Sequence, residues 1–234
     1  MVITTVSSPA FEISQPFFSF ANHSGTARRK ILCGGDLILD HTPSTVIKQT
    51  DGGGILKLIK ARSWHEYAKS LWARSRLFKE VRGNQLLAGL GLKVAEIREV
   101  GIALLPTPRY RYLGYYIMEN LESRGAVEML QLFDSGISEA KRIQWLDLVI
   151  DDLRRMRDSG IVFSDCHLRN VFADFEACQV IWIDTGVTRY HWRRSKRFAR
   201  KFNHSIRRMA DYHDKHLLLS SEEKRRLLAL LLPE

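Results

Sequence analysis

From Asp36 the chain falls into short β-prone runs, DLILD, STVIKQ and GILKLI, with Asp51-Gly52 as a hairpin signal between the last two. A three-stranded antiparallel meander is predicted. The next stretch, WHEYAKSLWARSRLFKEVRGNQLLAGLGL, is rich in Leu, Lys, Arg and Glu, contains no proline and ends at Gly89 and Gly91. That composition predicts one helix, or two in succession. Strand character returns at KVAEIREVGIALL and, after the Pro106 and Pro108 turn region, at RYLGYYIMEN. From Ser138 the period changes: Ile143, Leu146, Ile150, Leu153 and Met156 recur at three- and four-residue steps, and Gly160 closes the segment. This is a helix with one buried face. It runs into IVFSDCHLRNVFAD and VIWIDTG, two apolar strand-like runs with a carboxylate near the end of each. Everything after Tyr190 reads as helix, and Ser221 with Glu222 and Glu223 makes a second helix start there.

The resulting plan is α+β. Residues 1–35 are left as a leader of unclear structure, because Ser, Thr and Phe occur there without periodicity. Residues 36–119 form a sheet with one main helix, and residues 120–234 are mostly helical. A hydrophobic content of 45% supports a substantial core at this length. The three cysteines, Cys33, Cys166 and Cys178, suit neither a disulfide framework nor a zinc cluster, so a reducing cytoplasm is expected. No secretory signal is read at the N-terminus, and no run is long and apolar enough for a spanning helix. A location in the cytoplasm, or peripheral on the cytoplasmic face of a membrane, follows.

The net charge of +10 is concentrated in one place. Nine Lys or Arg and no Asp or Glu lie between Arg189 and Arg208, leaving about +1 for the rest (10 minus 9). Such a segment attracts nucleic acid, an anionic membrane or a phosphorylated substrate alike.

Phosphoryl transfer needs positioning, metal ions that absorb charge, and a carboxylate aimed at the acceptor hydroxyl. Asp165 and Asn170, five positions apart between a helix and a strand, can present a base and a metal ligand together. Asp184 follows fourteen residues after Asn170, at the end of VIWID; with Thr185 and Gly186 beyond it, it is placed to bind Mg²⁺. Upstream, Lys57 sits inside GILKLIK, where alternation predicts a strand interior, and Glu80 on the following helix is its candidate partner. Lys60, near the strand's exit, is the rival lysine.

FSDCHLRN and WIDTG resemble the motifs of the protein-kinase-like superfamily, which includes aminoglycoside and choline phosphotransferases. The resemblance implies a bilobal fold that uses ATP and Mg²⁺, with Asp165 as base and Asn170 and Asp184 as metal ligands; His167 fits a D-x-H-x-x-N variant. It further implies that backbone groups near Glu119 to Leu121 meet the adenine. Within the superfamily the chain is most similar to the lipopolysaccharide inner-core kinases of Gram-negative bacteria, which phosphorylate heptose or Kdo. Compact length, the run KLIKARSWHEYAKSLWARSRLFKE and the pair Asp165-Cys166 carry that likeness.

The chain departs from the protein-kinase pattern in three places. Phe163 and Ser164 stand where His and Arg usually precede the aspartate, the later motif has Thr185 in place of Phe, and no glycine-rich phosphate loop is present. The candidate phosphate loop is His41 to Ser44, with the Ser44 hydroxyl as a donor. The expected function is ATP-dependent phosphorylation of a core-sugar hydroxyl, with the basic segment on the acceptor side and compatible with peripheral contact at the inner membrane. Two alternatives stay open: transfer to a protein or small molecule, and, in a different class, an inactive pseudokinase or nucleic-acid-binding module. Like charge across the acceptor side disfavours cationic antibiotics, and the complete Lys, Glu, Asp, Asn, Asp set disfavours inactivity and nucleic acid.

Overall fold

The computed structural model describes residues 13–21, 27–32, 36–41, 45–103, 111–192, 195–215 and 219–231. The chain divides into two compact units. The first comprises residues 1–78 and 96–120, the second residues 79–95 and 121–234.

The first unit is built on a seven-stranded antiparallel sheet. Its strands are β1 (Ile13–Ala21), β2 (Ala27–Leu32), β3 (Asp36–His41), β4 (Thr45–Gln49), β5 (Ile55–Lys60), β6 (Ile97–Ala103) and β7 (Tyr112–Met118), in the spatial order β2-β1-β6-β7-β5-β4-β3. The predicted meander is β3 to β5. The hairpin β1–β2, in the stretch left without structure above, extends the sheet beyond β6. Its buried positions in β1 are Gln15, Phe17 and Ser19, a mixed set that gives no apolar alternation. Pro16 reads as a breaker, yet it stands at an irregularity in the β1–β2 register, where a missing N–H is tolerated. Gln15 supplies polar bonds through its side chain: Nε2 donates to Tyr112 O (3.0 Å) and Oε1 accepts from Tyr112 N (3.2 Å).

One face of this sheet carries Phe17, Val46, Leu56, Leu58, Ala103 and Tyr115 as a core cluster. Phe17 and Tyr115 meet edge to face at 5.2 Å. Gly101, opposite Tyr115 in the ladder, leaves room for that ring, since a Cβ at 101 would stand 1.9 Å from it.

The predicted helical stretch is two helices, α1 (Trp64–Leu71) and α2 (Arg76–Gly89); α2 belongs to the second unit from Lys79 onward. That unit also contains β8 (Val127–Glu128), α3 (Met129–Asp134), α4 (Glu139–Asp158), β9 (Ile161–Phe163), β10 (Val171–Asp174), β11 (Gln179–Trp182), β12 (Val187–Arg189), α5 (Lys196–Lys215) and α6 (Ser221–Leu231). Short ladders β11-β10-β8 and β12-β9 interrupt the helices. Trp145, Leu146, Val149, Ile150, Leu153 and Met156 form the buried face of α4 and pack into a core shared with Trp182, Phe198, Phe202 and Met209. α6 starts at Ser221 as expected, and the residue before it supplies the cap. Ser220 is the cap: its Oγ accepts from Glu223 N (3.2 Å) while Glu223 Oε2 accepts from Ser220 N (2.8 Å), a reciprocal capping box. Among the described residues no helix is long and apolar enough to cross a membrane.

Candidate active site

In the second unit, β9 ends at Phe163 and the chain makes an exposed turn through Ser164 and Asp165. Cys166 and Leu168 are buried anchors, whereas Asp165 between them and the end of β9 is about half exposed (53%). The alternation follows from residue type: apolar side chains dock into the core and the carboxylate is left facing solvent. A single 3₁₀ turn, Leu168–Asn170, then brings Asn170 back beneath the loop. Asn170 is 7% exposed, and its Nδ2 donates to the Asp165 carbonyl at 2.9 Å. Five residues of separation are thus closed by one hydrogen bond. With Nδ2 engaged, Oδ1 is the atom Asn170 can offer a cation. His167 Nε2 lies 3.8 Å from Asp165 Oδ2, and its Nδ1 is buried without a hydrogen-bond partner among the described residues.

Asp184 is brought alongside by the backbone, since Ile183 N donates to Asn170 O at 2.9 Å. It follows β11 in a turn where Gly186 N donates to Asp184 O (2.6 Å) and Val187 N to Thr185 O (2.7 Å). Asp184 itself has φ +50°, a left-handed conformation that a non-glycine residue adopts only when its surroundings enforce it. The enforcement is visible. Buried Thr185 donates its hydroxyl to Glu80 O at 3.0 Å, and α2 presses on the turn through Gly83, where a Cβ would lie 1.8 Å from Thr185 O. Glu80 is buried (3% exposed), and its Cγ is within van der Waals reach of the Gly186 position.

The metal expectation can be tested on donor chemistry. Asn170 and Asp184 offer neutral and anionic oxygen, which suits Mg²⁺, an ion that binds through one or two protein oxygens together with phosphates and water. Among the described residues no cluster of three or more His, Cys, Asp or Glu is placed to hold a metal by itself.

In the first unit, Lys57 is 5% exposed in the middle of β5, opposite Ile47 and Tyr116, with Nζ 5.7 Å from the Tyr116 ring centroid. Lys60 is the last residue of β5, half-buried, at a register irregularity. The sequence reading passed over Lys48 on β4, which is 3% exposed. Glu119 N donates to Glu96 O (3.0 Å), while Glu96 N donates to Glu119 Oε1 (2.9 Å). Leu121 belongs to the second unit; its side chain is buried and its carbonyl accepts from Arg124 and Ala126. Ser44 lies outside the described residues.

Sequence reasoning also missed how α5 meets the loop. Met209 Sδ is 3.4 Å from Cys166 Sγ, the Ser205 hydroxyl donates to Phe163 O, and Tyr212 stacks on His167 with centroids 5.3 Å apart. Arg208 Nη2 reaches to 3.8 Å from Asp165 Oδ1. Burial, with the Asp165 charge adding to it, pushes the Cys166 thiol up to about 12. Burial likewise raises Glu128, at the β8 end beside this loop, although Arg169, 3.9 Å away, opposes the shift.

No protein-family model matches the chain, and no curated protein matches it in sequence. Among solved structures it is similar to WaaP in complex with acyl carrier protein, with a TM-score of 0.58 over 84% of this chain and 78% of that one, at 14% identity. At that identity the likeness is one of fold: the chain has an α+β fold of the protein-kinase-like type.

Proposed function

We propose that the protein is an ATP-dependent kinase that phosphorylates a sugar hydroxyl of the lipopolysaccharide inner core, heptose or Kdo. The observation that supports it most is the tie between the two motifs, in which Asn170 holds the Asp165 carbonyl and accepts Ile183 N–H. That tie joins the backbone of a loop bearing the solvent-facing Asp165 carboxylate to the strand end that carries Asp184, which supports reading the three residues as one site. Fold-level likeness to WaaP and the basic α5 surface beside Asp165 favour the core-sugar acceptor.

In this reading Asp165 orients the acceptor hydroxyl and takes its proton. The acceptor oxygen forms a bond to the γ-phosphorus as the bond from that phosphorus to the bridging oxygen breaks, so ADP leaves with the electron pair. Asn170 and Asp184 would hold Mg²⁺, which would supply neutralisation of phosphate charge. Lys57 holds the α- and β-phosphates with Glu80 as its orienting carboxylate, the Glu119 carbonyl and Leu121 backbone receive the adenine, and Ser44 contributes a hydroxyl to the phosphates. The His167 ring, stacked on Tyr212, keeps the loop's conformation rather than acting on substrate. The Arg189 to Arg208 segment faces the lipid-linked anionic acceptor at the cytoplasmic surface of the inner membrane.

Mass spectrometry of lipopolysaccharide core from cells with and without the gene tests the proposal. A core phosphate should vanish on deletion and return with wild type but not with Asp165→Ala. An unchanged core would refute it. A second reading, a nucleic-acid-binding module, draws on the same basic helix, and steep salt-dependent RNA or DNA binding without ATP turnover would favour that one.

A further inference from the structure

We infer that Arg208 is an acceptor-recognition residue that binds an anionic group, phosphate or carboxylate, carried close to the hydroxyl that Asp165 activates. The inference rests on the kinase reading of that site and specifies its substrate class.

Arg208 is placed with definition although its guanidinium is in solvent. Met209, Ser205 and Tyr212, on the same helix, are all fastened to the Phe163–His167 loop by the contacts given above. The Arg208 side chain is 64% exposed and Asp165 is 53% exposed, so their pair at 3.8 Å is solvated and contributes little to stability. At that separation it is an ion pair longer than a hydrogen bond, which leaves N–H groups able to meet an incoming oxyanion. A residue meant only to hold Asp165 would be expected closer and drier.

The surroundings point the same way. Arg197, Lys201 and His204 are exposed and precede Arg208 by eleven, seven and four residues, which aligns all four along one stripe of α5. The stripe runs roughly 16 Å from the Asp165 end. An acceptor with one anionic group beside its reacting hydroxyl is drawn to Arg208, and further anionic groups fall along the stripe. A neutral sugar gains nothing there.

The test uses steady-state phosphotransfer to three core oligosaccharides: one with a phosphate next to the acceptor sugar, one with a carboxylate there, and one with neither. For Arg208→Gln, KM for the two anionic acceptors should rise about tenfold while kcat and the neutral acceptor's KM hold, as expected for loss of one charge-assisted contact. A response confined to one anionic acceptor identifies which group Arg208 binds. Arg225→Gln, which removes the same charge from α6, should change nothing. Equal losses on anionic and neutral acceptors would instead assign Arg208 to holding Asp165 and overturn the inference, as would no change at all. A second arm needs no turnover: NMR titration of the protein with glucose 6-phosphate and with glucose. Wild type should prefer the phosphate, Arg208→Gln should lose the preference, and Arg208→Lys should keep part of it. If no acceptor is phosphorylated but the titration difference depends on Arg208, the kinase reading fails and the anion site stands. If transfer proceeds and neither arm responds to Arg208→Gln, the inference fails and the kinase reading stands.

Discussion

Replacing Gly83 by alanine sets two effects of opposite sign against each other. Helix propensity alone favours the change, because alanine in a helix interior is about 1 kcal/mol better than glycine. Packing opposes it. The added Cβ would stand 1.8 Å from Thr185 O, 3.0 Å from its carbonyl carbon and 3.2 Å from Val187 Cγ2, and both oxygen and carbon are backbone atoms that cannot rotate away. Restoring a 3.0 Å approach requires α2 or the Asp184 turn to shift by about 1.2 Å (3.0 minus 1.8). Overpacking of that kind costs about 1–3 kcal/mol, and weakening the Thr185–Glu80 hydrogen bond adds about 1 kcal/mol. The net expectation is a loss of about 1–3 kcal/mol, read as a Tm lower by several degrees in a thermal melt. Displacement of Asp184 by about 1 Å should also reduce kcat by about a hundredfold. Denaturation and ATP turnover measured on the same Gly83→Ala preparation check both parts. A variant more stable than wild type, with full turnover, would mean that propensity dominates and that α2 does not press on the Asp184 turn.

Three further outcomes are expected. Cys178, exposed, should react with iodoacetamide in the native protein, whereas Cys166, buried and raised to about 12, should react only after unfolding; peptide mass spectrometry separates them. Glu223→Gln should destabilise by about 3 kcal/mol at neutral pH, since it removes one partner of a buried ion pair in which Arg142 Nε and Nη2 donate at 2.7 and 2.8 Å. Burial pushes Glu223 up, but its Arg142 and Ser220 hydrogen bonds outweigh this and lower it below 4.5. A depressed carboxylate stabilises the fold above its unfolded value, so the wild-type advantage over Glu223→Gln should be full at neutral pH and shrink as pH falls below about 4.5. If the proposed mechanism holds, Asp165→Asn should lower kcat by about 10²–10⁴ with little effect on Mg·ATP binding by calorimetry, because in it the carboxylate acts on the acceptor proton.

Much of the second unit was legible because its signals are local. The α4 periodicity, the IVF and VIW runs and the Asp165–Asn170 spacing are set within a few residues, and the structure builds the loop from those apolar anchors. The β1–β2 hairpin was not legible: Gln15 and Ser19 are buried and polar, and Pro16 is excused only by an irregularity in the pairing with β2. Arg208 was counted as one of nine basic residues, but its place beside Asp165 follows from Met209 and Tyr212 docking on a loop some forty residues away, which no periodicity encodes. The same holds for Gly83: it looks like a helix weakness until Thr185, about a hundred residues later, is packed against it.

The decisive measurement follows the γ-phosphoryl group itself. Purified protein with radiolabelled ATP and dephosphorylated core oligosaccharide should transfer the label to sugar in a Mg²⁺-dependent manner, and Asp184→Asn should abolish both transfer and Mg²⁺-dependent nucleotide binding. Label that never leaves ATP, or transfer that persists undiminished in Asp184→Asn, would contradict the assignment of Asp165, Asn170 and Asp184 as one phosphoryl-transfer site.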